Sequence, residues 1–273
     1  MAKTPNTTSS KKRRINVKQQ LQEVAHKRGI DALLQESKPH SSFAQRAEYR
    51  EKLEHAREQQ NLERISALAM KQASDQEIGN EPDADWMTEF LRLASKTQVP
   101  AMQQLWANIW AEELRQPGSF SVKAMQTLKQ MTQREAQWFQ HACEMTCQVG
   151  GELNRKIVTG VMRPPAAMGW VRPKVEKLNL GQFRLPYHHI LHLAELGLIY
   201  DRELEFRPNS SQATYLSING RSHAMRPHSK GCRVTYYRFT PMGDELAKLI
   251  GDQADNGYCH QLLGLLEHFF EMN

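Results

Sequence analysis

No stretch of the 273-residue chain approaches the roughly 18–20 consecutive apolar residues that a bilayer-spanning helix needs. The patterns Gly-x-x-x-x-Gly-Lys-Ser/Thr, Gly-x-Gly-x-x-Gly and Gly-x-Ser-x-Gly are also missing, which removes the commonest phosphate cradles and the nucleophile elbow. Cysteine is scarce: Cys143, Cys147, Cys232 and Cys259 are the only four. At this chain length that number fits buried free thiols better than a disulfide framework. The segment Met1–Asn16 contains Lys11-Lys12-Arg13-Arg14 but has no apolar stretch behind it, so it is not a secretion signal. A soluble, cytoplasmic chain is expected. Hydrophobic residues make up 40% of the sequence and the mean hydropathy is -0.66, the balance of a folded core carrying polar extensions.

What is present is charge, unevenly placed. Residues 1–75 hold 15 Lys and Arg against 9 Asp and Glu, and residues 152–250 hold 15 against 8. Residues 76–151, by contrast, hold 6 against 9, and residues 251–273 none against 4. Two basic regions therefore flank an acidic middle, a layout that suggests an anionic partner more than uniform basicity does.

The spacing of apolar residues sets the expected layout. Residues 1–16 have almost nothing to bury and are expected to be disordered. Residues 17–82 read as a helical arm and linker. Within them a Gly- and Pro-free stretch, residues 44–73, carries only a thin apolar stripe (Leu53, Ala56, Leu62, Ile65, Leu68, Ala69), as in a partner-seeking helix or a short coiled coil. Residues 83–151 read as a bundle of four short helices. Met102, Leu105, Trp106, Ile109 and Trp110 make its widest apolar face. Thr132 with Glu135 makes a capping box for a helix predicted to carry Cys143 and Cys147 and to stop at Gly150-Gly151. Residues 152–184 read as loop with short strands. A helix over 187–196 follows, then strands over 204–206, 214–218 and 233–239, with Asn219-Gly220 and Lys230-Gly231 in the turns. Helices over 242–250 and 260–270 close the chain. The apolar residues of the last one (Leu262, Leu263, Leu265, Leu266, Phe269, Phe270) suit either closure of the core or a homodimer contact.

Two motif sets carry resemblances. The first comprises Asp85-Trp86, Met102 to Ala107 (Met-Gln-Gln-Leu-Trp-Ala), Glu112-Glu113 and Pro117 to Ser121 (Pro-Gly-Ser-Phe-Ser). This order resembles an uncharacterised bacterial family without established chemistry, and is distantly similar to the alpha-type abortive-infection proteins of phage defence. The second is Ala194 to Tyr200 (Ala-Glu-Leu-Gly-Leu-Ile-Tyr), a strand-rich interval, then Tyr237 to Leu246 (Tyr-Arg-Phe-Thr-Pro-Met-Gly-Asp-Glu-Leu). That order looks like a winged-helix domain, and the resemblance implies a β-hairpin wing.

The candidate site follows from the wing and its approach, which carry Arg172, Lys174, Arg221, Arg226, Lys230 and Arg233. Cationic side chains on a projecting hairpin suit phosphate contacts without base reading, and Tyr215, Tyr236 and Tyr237 could stack on unpaired bases. The plain alternative is a solvated basic face. His188, His189 and His192 lie on one predicted helix, with Cys232 and Cys259 as further potential ligands, but the His-Glu-x-x-His spacing is absent. Core packing is the simpler reading, and no metal or cofactor is expected. Glu112-Glu113 are adjacent on a helix and point about 100° apart, so they are expected to be surface residues rather than an acid–base pair.

The fold expected is mainly α: a helical bundle followed by a winged-helix-like α/β module, residues 152–273. The function expected is a non-enzymatic binding or regulatory one, through non-specific nucleic-acid binding. The alternative is a protein-interaction component of a phage-defence, abortive-infection-like system.

Overall fold

The computed structural model describes residues 16–34, 41–74, 77–165, 172–209, 211–251 and 253–273. Of the tail expected to be disordered, residues 1–15 lie outside the described residues.

Capping chemistry starts the helices. Asn16 with Gln19 and Ser42 with Gln45 form reciprocal boxes that open α1 (Val17–Arg28) and α2 (Phe43–Met70). Asp83 caps α3 (Ala84–Ala94), Pro100 stands at the first position of α4 (Pro100–Arg115), and Ser121 caps α5 (Val122–Gln130). The predicted box of Thr132 and Glu135 opens α6 (Gln133–Glu144). That helix ends at Glu144, earlier than predicted, and Cys147 already bridges to Lys156. Gly150 and Gly151 therefore follow a strand instead of ending the helix.

Residues 152–184, expected to be loop with short strands, hold two neighbouring strands of one sheet. The strands in chain order are β1 (Gln148–Val149), β2 (Lys156–Arg163), β3 (Lys174–Lys177), β4 (Leu204–Phe206), β5 (Thr214–Ile218), β6 (Arg221–Pro227), β7 (Arg233–Arg238) and β8 (Phe270–Met272). Interleaved with them are a 3-10 turn at Leu180–Phe183 and helices α7 (Tyr187–Glu195), α8 (Pro241–Ala247) and α9 (Asn256–Glu267). One antiparallel sheet has the order β3-β2-β7-β4 and the other β1-β5-β6-β8. The chain is thus a helix-rich α/β protein with two small antiparallel sheets, and not specifically a winged helix. The hairpin expected as a free wing, β5–β6, is flanked on both edges by β1 and β8. β6 escaped the sequence reading because Arg221, His223 and Arg226 break any apolar alternation. What makes it a strand is its pairing with β5, closed by Asn219 and Gly220, both at positive φ.

The motif around Gly197 has a close-packing reason. Gly197 is in the left-handed conformation at the end of α7, and Thr240 Oγ1 donates to its carbonyl at 2.6 Å. A Cβ on Gly243 would meet Leu198 O at 1.9 Å, so α8 can pack here only through glycine.

One contiguous apolar core runs through both halves, from Ile65 on α2 to Phe270. Leu262, Leu265, Leu266, Phe269 and Phe270 are buried in it, so the C-terminal apolar face expected to close the core or make a dimer is covered within the chain. Trp106 is fully buried, edge-on to Phe90 at 5.6 Å. Trp110, predicted to be equally deep, is only half-buried.

Glu113 departs most from expectation. It is 2% exposed, whereas both carboxylates of the pair were expected at the surface. Its Oε1 accepts from Gly118 N at 2.6 Å and its Oε2 from Phe120 N at 3.1 Å. The carboxylate thus holds the turn that ends α4. Its neighbour Glu112 is half-buried, 3.5 Å from Arg115.

Two substitutions test this core. Trp106→Ala should lower the free energy of unfolding by about 3–5 kcal/mol in denaturant titration. Trp106→Phe should cost less than half of that, because among the described residues Trp106 Nε1 has no hydrogen-bond partner to lose. Glu113→Gln keeps the shape but turns an amide NH2 toward a backbone N–H, and should cost about 1–3 kcal/mol by the same measurement. A loss under about 0.5 kcal/mol would place no weight on this carboxylate.

Candidate functional site

Sheet topology gathers the basic residues more tightly than sequence position suggests. In the order β3-β2-β7-β4, with every neighbour antiparallel, the start of β3, the end of β2, the start of β7 and the end of β4 fall at one rim. Lys174 is directly opposite Arg163, Arg233 is opposite Met162, and Phe206 is opposite Val234. Arg207 follows Phe206 at the same rim, Arg172 precedes β3 by two residues, and Lys230 lies in the turn before β7. That turn passes directly beside the end of β2, since a Cβ on Gly231 would approach Pro164 Cγ to 2.9 Å.

Five of the six predicted residues therefore belong to this end of the molecule. Arg172, Lys174, Lys230 and Arg233 line the rim itself. Arg226 stands on β6 of the other sheet, opposite Glu271. It approaches the rim through Phe269, whose carbonyl accepts from His228 N at 2.9 Å and whose ring lies 5.0 Å from Lys174 Nζ. Arg221 does not join them: it starts β6 at the hairpin tip, five residues and roughly 17 Å of strand away from Arg226. Arg207 was missed by sequence reasoning. Nothing in its local sequence marks it, and only the pairing of β4 with β7 brings it to the rim.

The cations differ in how free they are. Lys174 Nζ is 2.5 Å from Glu176 Oε1, and Arg233 Nη1 is 3.0 Å from Glu205 Oε2. Glu176 also meets His268 Nδ1 at 2.9 Å, and these partners hold its carboxyl below the usual range. Arg172, Arg207, Arg226 and Lys230 are exposed. The expected stacking tyrosines are not gathered here. Tyr236 is buried, Tyr237 is half-buried beside Glu203 and Tyr187, and only Tyr215 is exposed.

Of the other clusters singled out in the sequence, the cysteines are buried, but the histidines expected in the core lie at the surface, with His188 and His192 exposed. His188, His189 and His192 surround Trp138, with His189 stacked on it at 4.2 Å and His192 at 5.4 Å. Burial holds His189 below the ordinary imidazole value. Among the described residues no three His, Cys, Asp or Glu side chains converge as a metal-binding set. All four cysteines are buried as free thiols. Desolvation pushes the Cys147 thiol up to about 12 and raises Cys143 and Cys259 as well.

Beside the helices, Trp110 lies between two apolar hollows. One, of about 180 Å³, includes Ala69, Met70 and Leu114, and the other includes Met87 and Leu91. Among the described residues no helix is long and apolar enough to cross a membrane.

A helix-rich chain with a cationic sheet rim, four buried thiols and no clustered metal ligands among its described residues is the class that this geometry defines. The chain belongs to the family described as protein of unknown function (DUF2806), whose match spans residues 45–263. That span includes Trp86, Glu113 and the Pro117–Ser121 segment. No curated protein and no solved structure matches the chain.

The thiol assignment has a direct check. In the native protein at pH 8 a small aromatic disulfide reagent should titrate none of the four cysteines within minutes, and all four after denaturation. Rapid modification of even one native thiol would contradict that burial.

Proposed function

We propose that this chain is a non-enzymatic binding protein that holds nucleic acid through the phosphates, using the rim of the β3-β2-β7-β4 sheet. The observation that carries the reading is the alignment of four strand ends, which brings Arg163, Lys174, Arg207 and Arg233 to one rim, Arg163 and Lys174 on one face of the sheet and Arg233, paired with Met162, on the other, with Arg172 and Lys230 beside them. Basic groups on fixed backbone positions neutralise phosphates by releasing counterions, and that requires no base contact. Phosphate contacts of this kind carry no base readout, so binding without sequence preference is the form that fits. A second reading, protein contact of the abortive-infection kind, is favoured by the two apolar hollows beside Trp110.

The test is the salt dependence of binding by the full chain. The slope of log affinity against log salt should be near -0.9 per phosphate neutralised on duplex DNA. Arg172→Glu with Lys230→Glu should flatten it by about two, while Arg221→Glu, at the far hairpin tip, should leave it unchanged. Arg233 is a poorer choice for reversal, because a carboxylate there would face Glu205. Comparing variants with the parent chain cancels any contribution from Lys11 to Arg14. Absence of binding to duplex DNA, single-stranded DNA and RNA at about 50 mM salt, where phosphate-driven complexes are strong, would sink the reading.

A further inference from the structure

We infer that the α1–α2 arm is a self-association surface, occupied by the arm of a second copy of this chain. Only the last third of α2 belongs to the core: among its 28 residues the buried ones are Asn61, Ile65 and Ala69. The preceding part, residues 43–58, extends roughly 24 Å at 1.5 Å per residue. Among the described residues α1 touches it only through its C-terminal end. The Arg57 guanidinium donates to Lys27 O, Arg28 Nη2 donates to Gln98 Oε1 at 3.2 Å, and Gly29 sits against Leu53 and Tyr49.

Those contacts lie at the last turn of α1, and along the helix itself only Ala25 is buried, so its apolar stripe is bare. Val17, Leu21 and Val24 fall at i, i+4 and i+7, one stripe, and are 87%, 60% and 46% exposed. Leu33 at 88%, Ile30 at 60% and Phe43 at 80% are bare as well, beyond the end of α1 and at the start of α2. An isolated helix of 12 residues is marginal in water and is held by packing of its apolar face. Here that face has no neighbour among the described residues. The six side chains expose apolar surface on the order of 750 Å², taking roughly 160–220 Å² for each such residue fully exposed, which is close to the ~800 Å² that each partner contributes to a stable interface.

Charge selects the occupant. Residues 43–58 carry Arg46, Arg50, Lys52 and Arg57 against Glu48, Glu51, Glu54 and Glu58, a balance of zero with the signs interleaved. α1 carries Lys18, Lys27 and Arg28 against Glu23. A face of mixed sign repels neither itself nor the basic α1 of a second copy, whereas a polyanion meets the glutamates as often as the arginines. The stripe of each copy laid along the mixed-sign part of the other's α2 makes a two-fold arrangement, the commonest closed symmetry. This surface is separate from the C-terminal helix, whose apolar residues lie in the chain's own core.

Sedimentation equilibrium on the full chain, from about 1 to 100 µM, reads the mass directly. The parent should approach twice its 31.5 kDa, and Leu21→Glu with Val24→Glu should weaken association at least tenfold. Both positions are exposed, so circular dichroism and the melt measured at the lowest concentration should not change. Leu21→Ile should associate as the parent does. A parent that stays monomeric at 100 µM overturns the proposal, including the case in which it instead sediments with vesicles of anionic lipid. A dimer that survives the double substitution but dissociates on Met70→Glu, in the hollow beside Trp110, overturns it as well.

Discussion

The interaction on which the helical half depends is the carboxylate of Glu113 accepting two backbone N–H groups from the segment that follows its own helix. A buried carboxylate costs several kcal/mol unless donors replace its water, and here Gly118 and Phe120 supply them. Fixing that turn fixes three further contacts. Phe120 O accepts from Trp86 Nε1 at 2.7 Å, which ties α3 to the end of α4. The Phe120 ring enters the core. Ser121, the next residue, caps α5 and gives both its N–H and its hydroxyl to Glu245 on α8, at 2.8 and 2.7 Å. One carboxylate thus sets the turn through which α3, α4, α5 and α8 meet.

This explains why a motif could be seen in the sequence while its purpose could not. Asp85-Trp86, Glu112-Glu113 and Pro117 to Ser121 lie up to about 35 residues apart, and nothing local says that an indole N–H will reach a carbonyl beyond the next helix. The rule that adjacent helical residues point apart was sound for the Glu pair. The conclusion that both face solvent did not follow, because one direction of the two is inward. Helices with caps were legible, since capping is local chemistry between residues three apart. The strands of residues 156–163 and 174–177 were not, because β2 is a central strand buried on both faces and shows no alternation. β6 was hidden for the opposite reason, its polar residues being acceptable on a half-solvated sheet.

The candidate rim shows the same division. Its net charge was readable by counting, and five of the six residues chosen by position do gather near one end of the molecule. The count could not show which charges are already answered. Glu176 and Glu205 lie in the same sheet and pair with Lys174 and Arg233, so part of the +7 balance of residues 152–250 is neutralised internally. Nor could it separate Arg221 from the others or add Arg207, since both follow from strand direction alone.

The two basic regions of the chain differ in kind, and that difference links the two proposals. At the rim the exposed cations stand at or beside strand ends, while Glu176 and Glu205 are paired with Lys174 and Arg233. On the arm, acids and bases are interleaved along α2 and an apolar stripe runs along α1. The first pattern suits a phosphate backbone, and the second suits another helix. A dimer joined by the arms would carry two rims on one particle. Under the proposed function each rim would make few phosphate contacts, and a single one would bind weakly at cellular salt. Once one rim is bound, the second meets the same strand at an effective concentration set by the arms' length and stiffness, which raises the avidity without any new contact. A stiff helical arm is better than a flexible tether for this purpose, because it fixes the separation of the rims. Arm and rim are then parts of one device, and weak individual phosphate contacts become a consequence of the design instead of an objection to it.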